Sequence, residues 1–455
     1  MPDNASSKPR PPLPEGPFLV VGLARSGVAA AEALAAHGER VYGSDWGNPS
    51  GAARLAGLGV EVELDGDGTE LLDRVSAVIK SPGVPQGAPA VAAARERGLP
   101  VIGELELGWR LLPNRFVAVT GTNGKTTVAE WLGHVWREAG EPVAVAGNVG
   151  TPLASLHGEL DPGTTVICEC SSFQLEDSVA FAPEVAVLLN FSPDHLDRHG
   201  TLDAYLDAKL RIFANQVPGD FAVADADEAA AAGAEIRGGA EPTRYGVAAC
   251  ASGDCRVRLM GDTIEDEEGT LVAVAELPLA GEHNARNAMA VAAAALSAGI
   301  ERASVIEGLR GFGGVPHRLE RVASIGGVSF VNDSKATNVA AAAAALRSFE
   351  GGVRAILGGS LKGDSFEGLA PAVAERCTGC YLIGEAAPHL ARDLAGAGVP
   401  LSQAGDLASA VTLASLEAET GETVLLTPAC ASFDAFRDYE ERGDRFRELV
   451  SAELS

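Results

Sequence analysis

The sequence predicts an α/β protein of parallel sheets wrapped by helices and divided into three domains. Short β-branched runs such as Phe18–Val21 and Val185–Leu189 alternate with alanine-rich helical stretches along the chain, which is the pattern of parallel sheets. The 455 residues also exceed what one hydrophobic core usually serves. Because ligands in such folds bind beyond the carboxyl ends of strands, we expect the functional residues there.

The composition is that of an ordinary globular protein with a strong negative charge. Hydrophobic residues make up 46% and charged residues 21%, and 62 acidic against 35 basic residues give a net charge of −27. This charge repels nucleic acid and anionic membrane surfaces, so neither is expected as a partner. An acidic protein can still bind anionic metabolites through helix N-termini, Mg²⁺ and a few placed cations.

The ends and the cysteines of the chain predict a cytoplasmic protein. Residues 1–16 are rich in proline and polar residues and lack the apolar core of a signal peptide, so we expect a disordered tail there. No apolar run is long enough to span a bilayer. The seven cysteines are odd in number and scattered, which is typical of reduced thiols.

The first predicted domain, residues 17–103, begins with a strand and a glycine-rich turn from Gly22 to Gly27. Together with Asp45, about twenty residues later, this turn is close to a dinucleotide-binding fingerprint. Ala24 replaces the glycine that lets the backbone approach a pyrophosphate, which disfavours an NAD site. A nucleotide-like ligand and a purely structural βα turn both remain open.

The second predicted domain, residues 104–314, contains the most informative stretch, a strand that runs into Gly121–Thr127. The glycines free backbone N–H groups to surround phosphate oxygens, Lys125 can reach the terminal phosphates, and the Thr126 hydroxyl can ligate Mg²⁺. A common P-loop has its first glycine at the position of Val119 here, so the loop is a shortened form. That departure disfavours a generic GTPase or transport ATPase.

Other polar residues of this domain follow apolar runs or lie on helices. Glu169 can hold Mg²⁺ as the acidic partner of the loop, or it can cap a helix. Asp194–His199 crowds acids, imidazoles and an arginine, which indicates a metal or anion site, although His195 alone is typical of a surface imidazole. Lys209 is expected to be a solvated surface charge. Ala248–Glu276 predicts a small β-rich excursion.

The third predicted domain, residues 315–455, has its own βα pattern and no phosphate loop. Three polar segments follow separate apolar strands, so we expect them to converge at one edge of a sheet. Lys362 and Ser432 in these segments can together bind a carboxylate. Helix caps and turns explain each segment singly but not the convergence. The segments are Asn332–Asn338, Gly358–Gly363 and Thr427–Asp434.

Taken together, these segments resemble the Mur ligases of peptidoglycan synthesis, in the right order and over nearly the whole chain after the tail. The loop Thr120–Thr126 is shared with the whole superfamily, including folylpolyglutamate synthases, whereas Asn332–Asn338 is closer to the D-glutamate-adding branch. The other segments that carry the resemblance are Ser171–Glu176, Asp194–His199, Ala208–Ile212, Gly281–Asn284, Pro316–Arg318 and Pro428–Ser432.

The resemblance implies a Rossmann-like UDP-binding domain, a central ATPase domain and a C-terminal Rossmann-like domain that brings the amino acid. It implies a monomeric, cytoplasmic ligase in which the carboxylate of UDP-N-acetylmuramoyl-L-alanine attacks the γ-phosphate of ATP. The amine of D-glutamate then attacks the resulting acyl phosphate. Because two anions must meet, Mg²⁺ and fixed cations must offset their repulsion, and water must be excluded.

The resemblance also implies a role for individual residues. It implies one Mg²⁺ on Thr126 and Glu169 and a second on His195 and Lys209. The catalytic set that it implies is Lys125, Glu169, His195 and Lys209. The lysine matching Lys209 is carbamylated in the family, which turns a cation into an anion and reverses the interpretation of a surface charge. The matching ATP-binding positions are Gly121, Thr122, Asn123, Gly124, Lys125, Thr126, Thr127, Asn284, Asn287, Arg318 and Asp333.

Two further sets match the substrates of the family. The positions for the UDP substrate are Arg25, Ser26, Asp45, Trp46, Ser81, Asn148, Ser171 and His195. The positions for D-glutamate are Thr337, Lys362, Ser432, Phe433 and Tyr439.

Three alternatives remain open at this point. A ligase for a diamino acid or for folate is disfavoured by the UDP-like first domain and by the lack of an extra basic motif. An NAD oxidoreductase would rest on the segment from Gly22 to Asp45 alone. A non-catalytic nucleotide-binding regulator explains the loop but not Glu169, His195 and Lys209.

Overall fold

A computed structural model describes residues 8–452 except residues 50, 232, 234, 235, 237, 248, 249, 251–254 and 362–364. The chain divides into two compact units, residues 1–312 and 313–455. The first unit contains two sheets and the second unit contains one. The predicted domain boundaries at 103/104 and 314/315 stay predictions.

The first sheet of the first unit is parallel and five-stranded. Its strands are β1 (Phe18–Val21), β2 (Val41–Asp45), β3 (Glu61–Leu64), β4 (Ala77–Lys80) and β5 (Val101–Gly103). Its helices are α1 (Arg25–Ala36), α2 (Ala52–Leu55), α3 (Pro89–Glu96) and α4 (Glu104–Leu111). The order is β3-β2-β1-β4-β5, so it reverses between β1 and β4. The turns that follow these two strands therefore lie where such folds bind ligands.

The second sheet of the first unit has nine strands and is mostly parallel. Its strands are β6 (Phe116–Thr120), β7 (Val143–Gly147), β8 (Thr165–Glu169), β9 (Val185–Leu188), β10 (Phe221–Asp225), β11 (Glu241–Gly246), β12 (Val257–Met260), β13 (Thr263–Asp266) and β14 (Gly269–Ala273). Its helices are α5 (Lys125–Glu138), α6 (Ser172–Leu175), α7 (Leu196–His199), α8 (Leu202–Leu210), α9 (Ala226–Ala231), α10 (Glu282–Ala298) and α11 (Arg302–Gly311).

The strand order of this second sheet, β14-β13-β12-β11-β10-β9-β6-β8-β7, explains which polar residues meet. Strands β8, β6 and β9 are parallel neighbours, so the residues that follow them share one edge. The predicted β-rich excursion is confirmed, because β12, β13 and β14 form an antiparallel extension of the sheet.

The second unit is built on one six-stranded sheet. Its strands are β15 (Glu320–Ile325), β16 (Val328–Asn332), β17 (Val353–Gly358), β18 (Cys377–Ile383), β19 (Leu401–Gly405) and β20 (Thr423–Leu426). Its helices are α12 (Val339–Arg347), α13 (Ala370–Arg376), α14 (Ala387–Asp393), α15 (Leu407–Glu417) and α16 (Tyr439–Ala452). The order is β15-β16-β20-β17-β18-β19, with only the β15–β16 pair antiparallel. The predicted α/β class with parallel-rich sheets is confirmed.

The N-terminal segment differs from the prediction of a disordered tail over residues 8–16. The Lys8 ammonium donates to the Asp220 carboxylate over 2.5 Å and to the carbonyl of Ala182 over 3.0 Å. The Arg10 guanidinium lies 4.3 Å above the ring of Trp109. The segment therefore runs along the first unit, held by an ion pair and a cation–π contact that its proline-rich composition did not reveal.

Two further findings concern the cysteines and the helices. Cys250 and Cys255 form a disulfide, so the prediction that all seven thiols are reduced is wrong for this pair. The free cysteines are buried: Cys168, Cys170, Cys377, Cys380 and Cys430.

Across the described part of the chain, no helix combines the length and the apolar character needed to cross a membrane.

Candidate active site

The glycine-rich loop connects β6 to α5 and places backbone N–H groups at the start of that helix. Gly124 has a φ of +82°, and a Cβ there would lie 2.7 Å from Oδ1 of Asn287. Glycine is therefore required for both the backbone conformation and the close approach. The Lys125 ammonium donates to the carbonyls of Gly121 (3.0 Å) and Thr122 (2.9 Å). The positive end of α5 and this ammonium together suit an anion.

Glu169, the last residue of β8, lies beside the loop. Its side chain is buried, with 3% of its surface exposed. The Thr126 hydroxyl donates to Oε2 over 2.8 Å, and the Asn148 amide donates to Oε1 over 3.0 Å. Both carboxylate oxygens are thus oriented by neighbours. The structure brings together Thr126 and Glu169, the pair predicted to serve one Mg²⁺.

Lys209, near the end of α8, is buried against the loop rather than solvated. Only 1% of its surface is exposed, its ammonium donates to the carbonyl of Gly121 over 2.7 Å, and it lies 4.5 Å from the ring centre of Tyr205. Burial, helped by the nearby charge of Lys125, lowers the pKa of Lys209 to about 7 against the opposing effect of Asp194. The prediction of a surface charge from sequence alone is therefore wrong.

His195 lies on the loop that follows β9, just before α7. Its φ is +51°, its backbone N–H donates to Asp194, and about half of its side chain is exposed. Its ring centre is 4.8 Å from that of Phe173 on α6, and His199 lies 3.0 Å from the Ser172 hydroxyl. His195 and His199 therefore pack against the segment that follows Glu169.

Asparagine side chains tie the phosphate loop to its surroundings. Asn123 donates its backbone N–H to Asn190, and the Asn190 amide donates back to the Asn123 carbonyl, over 2.8 and 3.0 Å. On α10 the Asn287 amide donates to Asn284 over 3.2 Å. Asn287 also faces Gly124, so the two asparagines of α10 that are predicted to bind the nucleotide lie near the loop.

The residues predicted for the UDP substrate lie in turns of the first unit. The Asp45 carboxylate accepts hydrogen bonds from the N–H groups of Leu23 (2.6 Å) and Gly47 (2.9 Å). Trp46 beside it is 66% exposed, which leaves its indole available for stacking. The Arg25 guanidinium donates to the carbonyl of Gly150.

The remaining UDP-substrate positions are Ser26, Ser81 and Ser171. Ser26 lies in the first turn of α1, and Ser81 is buried directly after β4. Ser171 caps α6 by accepting from the backbone of Gln174, whose side chain accepts the Ser171 N–H in return. This capping box holds Ser171 close to Glu169.

In the second unit, three polar segments converge as predicted, because β16, β20 and β17 are neighbours. The N–H of Asp333 donates to Leu426, and that of Gly358 donates to Pro428, each over 2.8 Å. The buried Asp333 carboxyl accepts from the Leu319 N–H and the Thr427 hydroxyl. Burial raises the pKa of Asp333 to about 6, which these hydrogen bonds only partly oppose.

The positions predicted for D-glutamate and for the nucleotide in this unit are placed as follows. Ser432 is buried, Phe433 is 69% exposed, and Thr337 is half-buried. Tyr439 begins α16, and its carbonyl accepts from the Ser334 hydroxyl. Arg318 lies in the turn before β15, where its charge favours the ionised form of Asp333. Lys362 lies outside the described residues.

Arg442 on α16 was not among the residues predicted from the sequence. Its guanidinium, 1% exposed, donates to the hydroxyl and carbonyl of Ser334 (2.9 Å each) and to the carbonyls of Cys430 and Ala431 (3.1 Å each). Burial lowers its pKa to about 10. With a longer hydrogen bond of 3.5 Å to the carbonyl of Gly358, this one side chain contacts all three converging segments. The sequence did contain one indication of its burial: Arg442 lies four residues before Phe446, on the apolar face of α16.

The donors near the phosphate loop are few. No group of three or more His, Cys, Asp or Glu side chains among the described residues is arranged to hold a metal ion. A phosphate loop that faces a buried carboxylate and a buried lysine of low pKa nevertheless defines a nucleotide-dependent enzyme.

Three family models match the chain and cover most of its length. They are described as the Mur ligase MurD-like N-terminal domain over residues 17–103, the Mur ligase middle domain over residues 119–295, and the Mur ligase glutamate ligase domain over residues 317–430. The chain belongs to the Mur ligase family. It is therefore an enzyme, an ATP-dependent ligase.

Curated relatives narrow the branch of the family. A protein of Acidobacterium capsulatum is 42% identical over 447 residues, which cover 95% of this chain and 96% of the relative. A protein of Rubrobacter xylanophilus is 44% identical over 440 residues, with 95% and 97% covered. Both relatives are named UDP-N-acetylmuramoylalanine--D-glutamate ligase.

Solved structures support the fold. The chain is similar to UDP-N-acetylmuramate-alanine ligase MurC from Thermotoga maritima, with a TM-score of 0.54, 21% identity, and coverage of 96% of this chain and 100% of the other. It is also similar to Escherichia coli FolC in complex with DHPP and ADP, with a TM-score of 0.50, 18% identity, and coverage of 77% and 93%. At these identities the likeness concerns the fold alone.

Proposed function

We propose that this chain joins D-glutamate to UDP-N-acetylmuramoyl-L-alanine through an acyl phosphate and releases ADP and phosphate, as a cytoplasmic monomer. The observation that carries the proposal is the group formed by Lys125, Thr126, Glu169 and Lys209 around one loop. Relatives of 42% and 44% identity over nearly the whole chain are named for this reaction, which favours D-glutamate over a diamino acid or folate.

Thr126 and Glu169 suit one Mg²⁺ because hydroxyl and carboxylate oxygens are ligands that this ion prefers. Their 2.8 Å hydrogen bond holds both oxygens at one place, and the Asn148 amide fixes the far carboxylate oxygen. An ion bound there would offset the negative charge of the β- and γ-phosphates. Lys125, with the N-terminus of α5, supplies fixed positive charge to the same phosphates.

Lys209 does not suit a metal ion as an ammonium, because an ammonium has no lone pair to donate. Its pKa of about 7 makes the neutral amine abundant at neutral pH. A neutral amine can take up carbon dioxide as a carbamate, which is an anion with oxygen donors. With His195, the carbamylated Lys209 would then hold a second Mg²⁺.

The two substrates would approach these groups from different segments. We assign the UDP substrate to the turns of the first unit, where the indole of Trp46 is exposed and Asn148 and Ser171 lie beside Glu169. Its carboxylate would attack the γ-phosphate of ATP. The D-glutamate amine would then attack the acyl carbon, and phosphate would leave with the oxygen that bridged carbon and phosphorus.

We assign the nucleotide and D-glutamate to the following residues. ATP would contact the loop residues Gly121–Thr127 together with Asn284, Asn287, Arg318 and Asp333. The first-unit positions for the UDP substrate are Arg25, Ser26, Asp45, Trp46, Ser81, Asn148, Ser171 and His195. The positions for D-glutamate are Thr337, Lys362, Ser432, Phe433 and Tyr439.

Phosphate release with a panel of amino acids tests the proposal. We expect release in the presence of ATP, Mg²⁺ and UDP-N-acetylmuramoyl-L-alanine only when D-glutamate is added, and not with L-glutamate or meso-diaminopimelate. Lys125→Ala should abolish it, whereas Arg137→Ala, an exposed position on the last turn of the same helix, should not. Release at the same rate without any amino acid would contradict a ligase.

A further inference from the structure

Lys80 is a fully buried cation that the proposed reaction does not use. It ends β4, next to Ser81, and none of its surface is exposed. Its ammonium lies 2.8 Å from Oδ2 of Asp177 and donates to the carbonyl of Val84 over 2.9 Å. Burial lowers the pKa of Lys80, and the charge of Asp177 opposes the shift. Burying an ammonium costs free energy of desolvation unless an opposite charge and hydrogen-bond acceptors such as these offset it.

Asp177 links Lys80, in the first sheet, to the second sheet of the first unit. It follows α6 in the chain, yet its carboxylate accepts from the Gln86 amide over 2.9 Å and pairs with Arg95 at 3.4 Å. Its carbonyl accepts the N–H of Gly103, at the end of β5, over 3.2 Å. Residues that follow β4 and β5 of the first sheet therefore hold the segment that follows Glu169 of the second sheet.

Arg198, on the short helix α7 just after His195, is a second cation in the same group. The Arg198 guanidinium donates to Oε1 of Glu176 over 2.6 Å and to the carbonyl of Val84 over 3.2 Å. It also lies 4.2 Å from the ring centre of Phe173, the ring that packs on His195. The Val84 carbonyl thus accepts from Lys80 and from Arg198.

Val84 also packs against Gly22, in the turn that follows β1. The approach is close: a Cβ placed at Gly22 would lie 2.6 Å from Cγ2 of Val84 and 3.1 Å from Cβ of Ser81. The Gly22 turn, the Ser81 turn and the His195 loop are therefore joined through one buried charged group. We name this group the Lys80 cluster; its members are Lys80, Val84, Glu176, Asp177 and Arg198.

We propose that Lys80 is a positioning residue: through the Lys80 cluster it fixes the part of the UDP substrate that contacts Ser81 relative to the loop that carries His195. The inference rests on the proposed function, because Ser81 and His195 are there both assigned to the UDP substrate. A buried, hydrogen-bonded charge group specifies one geometry more sharply than apolar packing does. The reacting carboxylate needs that geometry, since a misplacement of about 1 Å can cost on the order of 100-fold in rate.

The test compares two variants with a matched control in steady-state kinetics. Lys80→Met leaves the buried Asp177 without its closest cation and is expected to destabilise the chain. The double variant Lys80→Met/Asp177→Asn removes both charges at nearly constant volume, so we expect it to fold. Asp266→Asn breaks an ion pair of the same 2.8 Å length with Arg302, elsewhere in the first unit, and serves as the control.

In the folded double variant we expect kcat to fall on the order of 100-fold or the KM for the UDP substrate to rise, with the KM for ATP unchanged. The control should keep all three parameters even if its melting temperature falls. A double variant that regains wild-type kcat and both KM values would show that Lys80 only stabilises the fold and would overturn the inference. Failure of the wild-type protein to turn over would instead contradict the proposed function.

Discussion

Lys209 is the residue whose protonation state the account depends on most. At pH 7 a lysine with the ordinary pKa of 10.5 is neutral in roughly three molecules in ten thousand. The pKa of about 7 produced by burial leaves about half of the Lys209 side chains neutral. The neutral amine is thereby enriched roughly a thousandfold. Carbamate formation needs this form, so Lys209 should react with carbon dioxide far ahead of a lysine with the ordinary pKa.

The assay is ¹³C NMR of the protein equilibrated with ¹³C-labelled carbon dioxide at a fixed dissolved concentration. Besides the signal of the α-amino group, whose ordinary pKa is about 8, we expect a second carbamate signal that grows as the pH rises through about 7, and we expect Lys209→Met to lack this second signal. Persistence of the second signal in Lys209→Met, or its appearance only near pH 10, would contradict a lowered pKa of Lys209.

The same burial makes a prediction for stability. The folded-state pKa of Lys209 is lowered, so between pH 7 and 10.5 the unfolded chain binds more protons than the folded one. The charged form therefore penalises folding fully below about pH 7, and the penalty fades as the pH rises toward 10.5. The shift corresponds to roughly 3–5 kcal/mol at neutral pH. Lys209→Met should raise the free energy of unfolding at pH 7, and an equal or lower value at that pH would argue against a buried cation.

Three other residues give separate predictions. Arg442→Met should destabilise the second unit by about 3–5 kcal/mol, since it removes a charged donor from four buried acceptors. All four tryptophans lie in the first unit, so the shift in urea should appear by circular dichroism and not by tryptophan fluorescence. Asp333 has a raised pKa of about 6, so between about pH 4 and about pH 6 the folded state binds more protons than the unfolded state, and the free energy of unfolding should fall by ~3 kcal/mol as the pH rises through this range. Asp333→Asn should remove this pH dependence, and an unchanged pH dependence would contradict a raised pKa of Asp333. Glu169→Gln should raise the Mg²⁺ concentration needed for nucleotide binding at least ~10-fold, measured with a fluorescent ADP analogue; an unaltered titration would exclude Glu169 as a ligand.

The parallel sheets and their ends could be predicted because their signals are local. The run Phe18–Val21 coincides with β1, and the run Val185–Leu189 matches β9 to within one residue, since short apolar β-branched runs have few other places in an α/β fold. Convergence of the segments after β16, β17 and β20 followed from the rule that parallel strands share a carboxyl edge.

The burial of Lys209 could not be predicted from the residues, because it depends on the close contact of α8 with a loop 88 residues earlier in the chain. The same holds for the segment from Lys8 to Arg10, whose partners Trp109 and Asp220 are distant in sequence. Arg442 was overlooked because an arginine on a charged helix is usually solvated, and only its four acceptors show otherwise.

The most direct test of the account is the fate of oxygen in the substrate carboxylate. With ¹⁸O in the alanyl carboxylate of UDP-N-acetylmuramoyl-L-alanine, the phosphate released in the presence of ATP and D-glutamate should carry one ¹⁸O atom, because that oxygen bridges carbon and phosphorus in an acyl phosphate. Released phosphate that contains no ¹⁸O would contradict attack of the carboxylate on ATP.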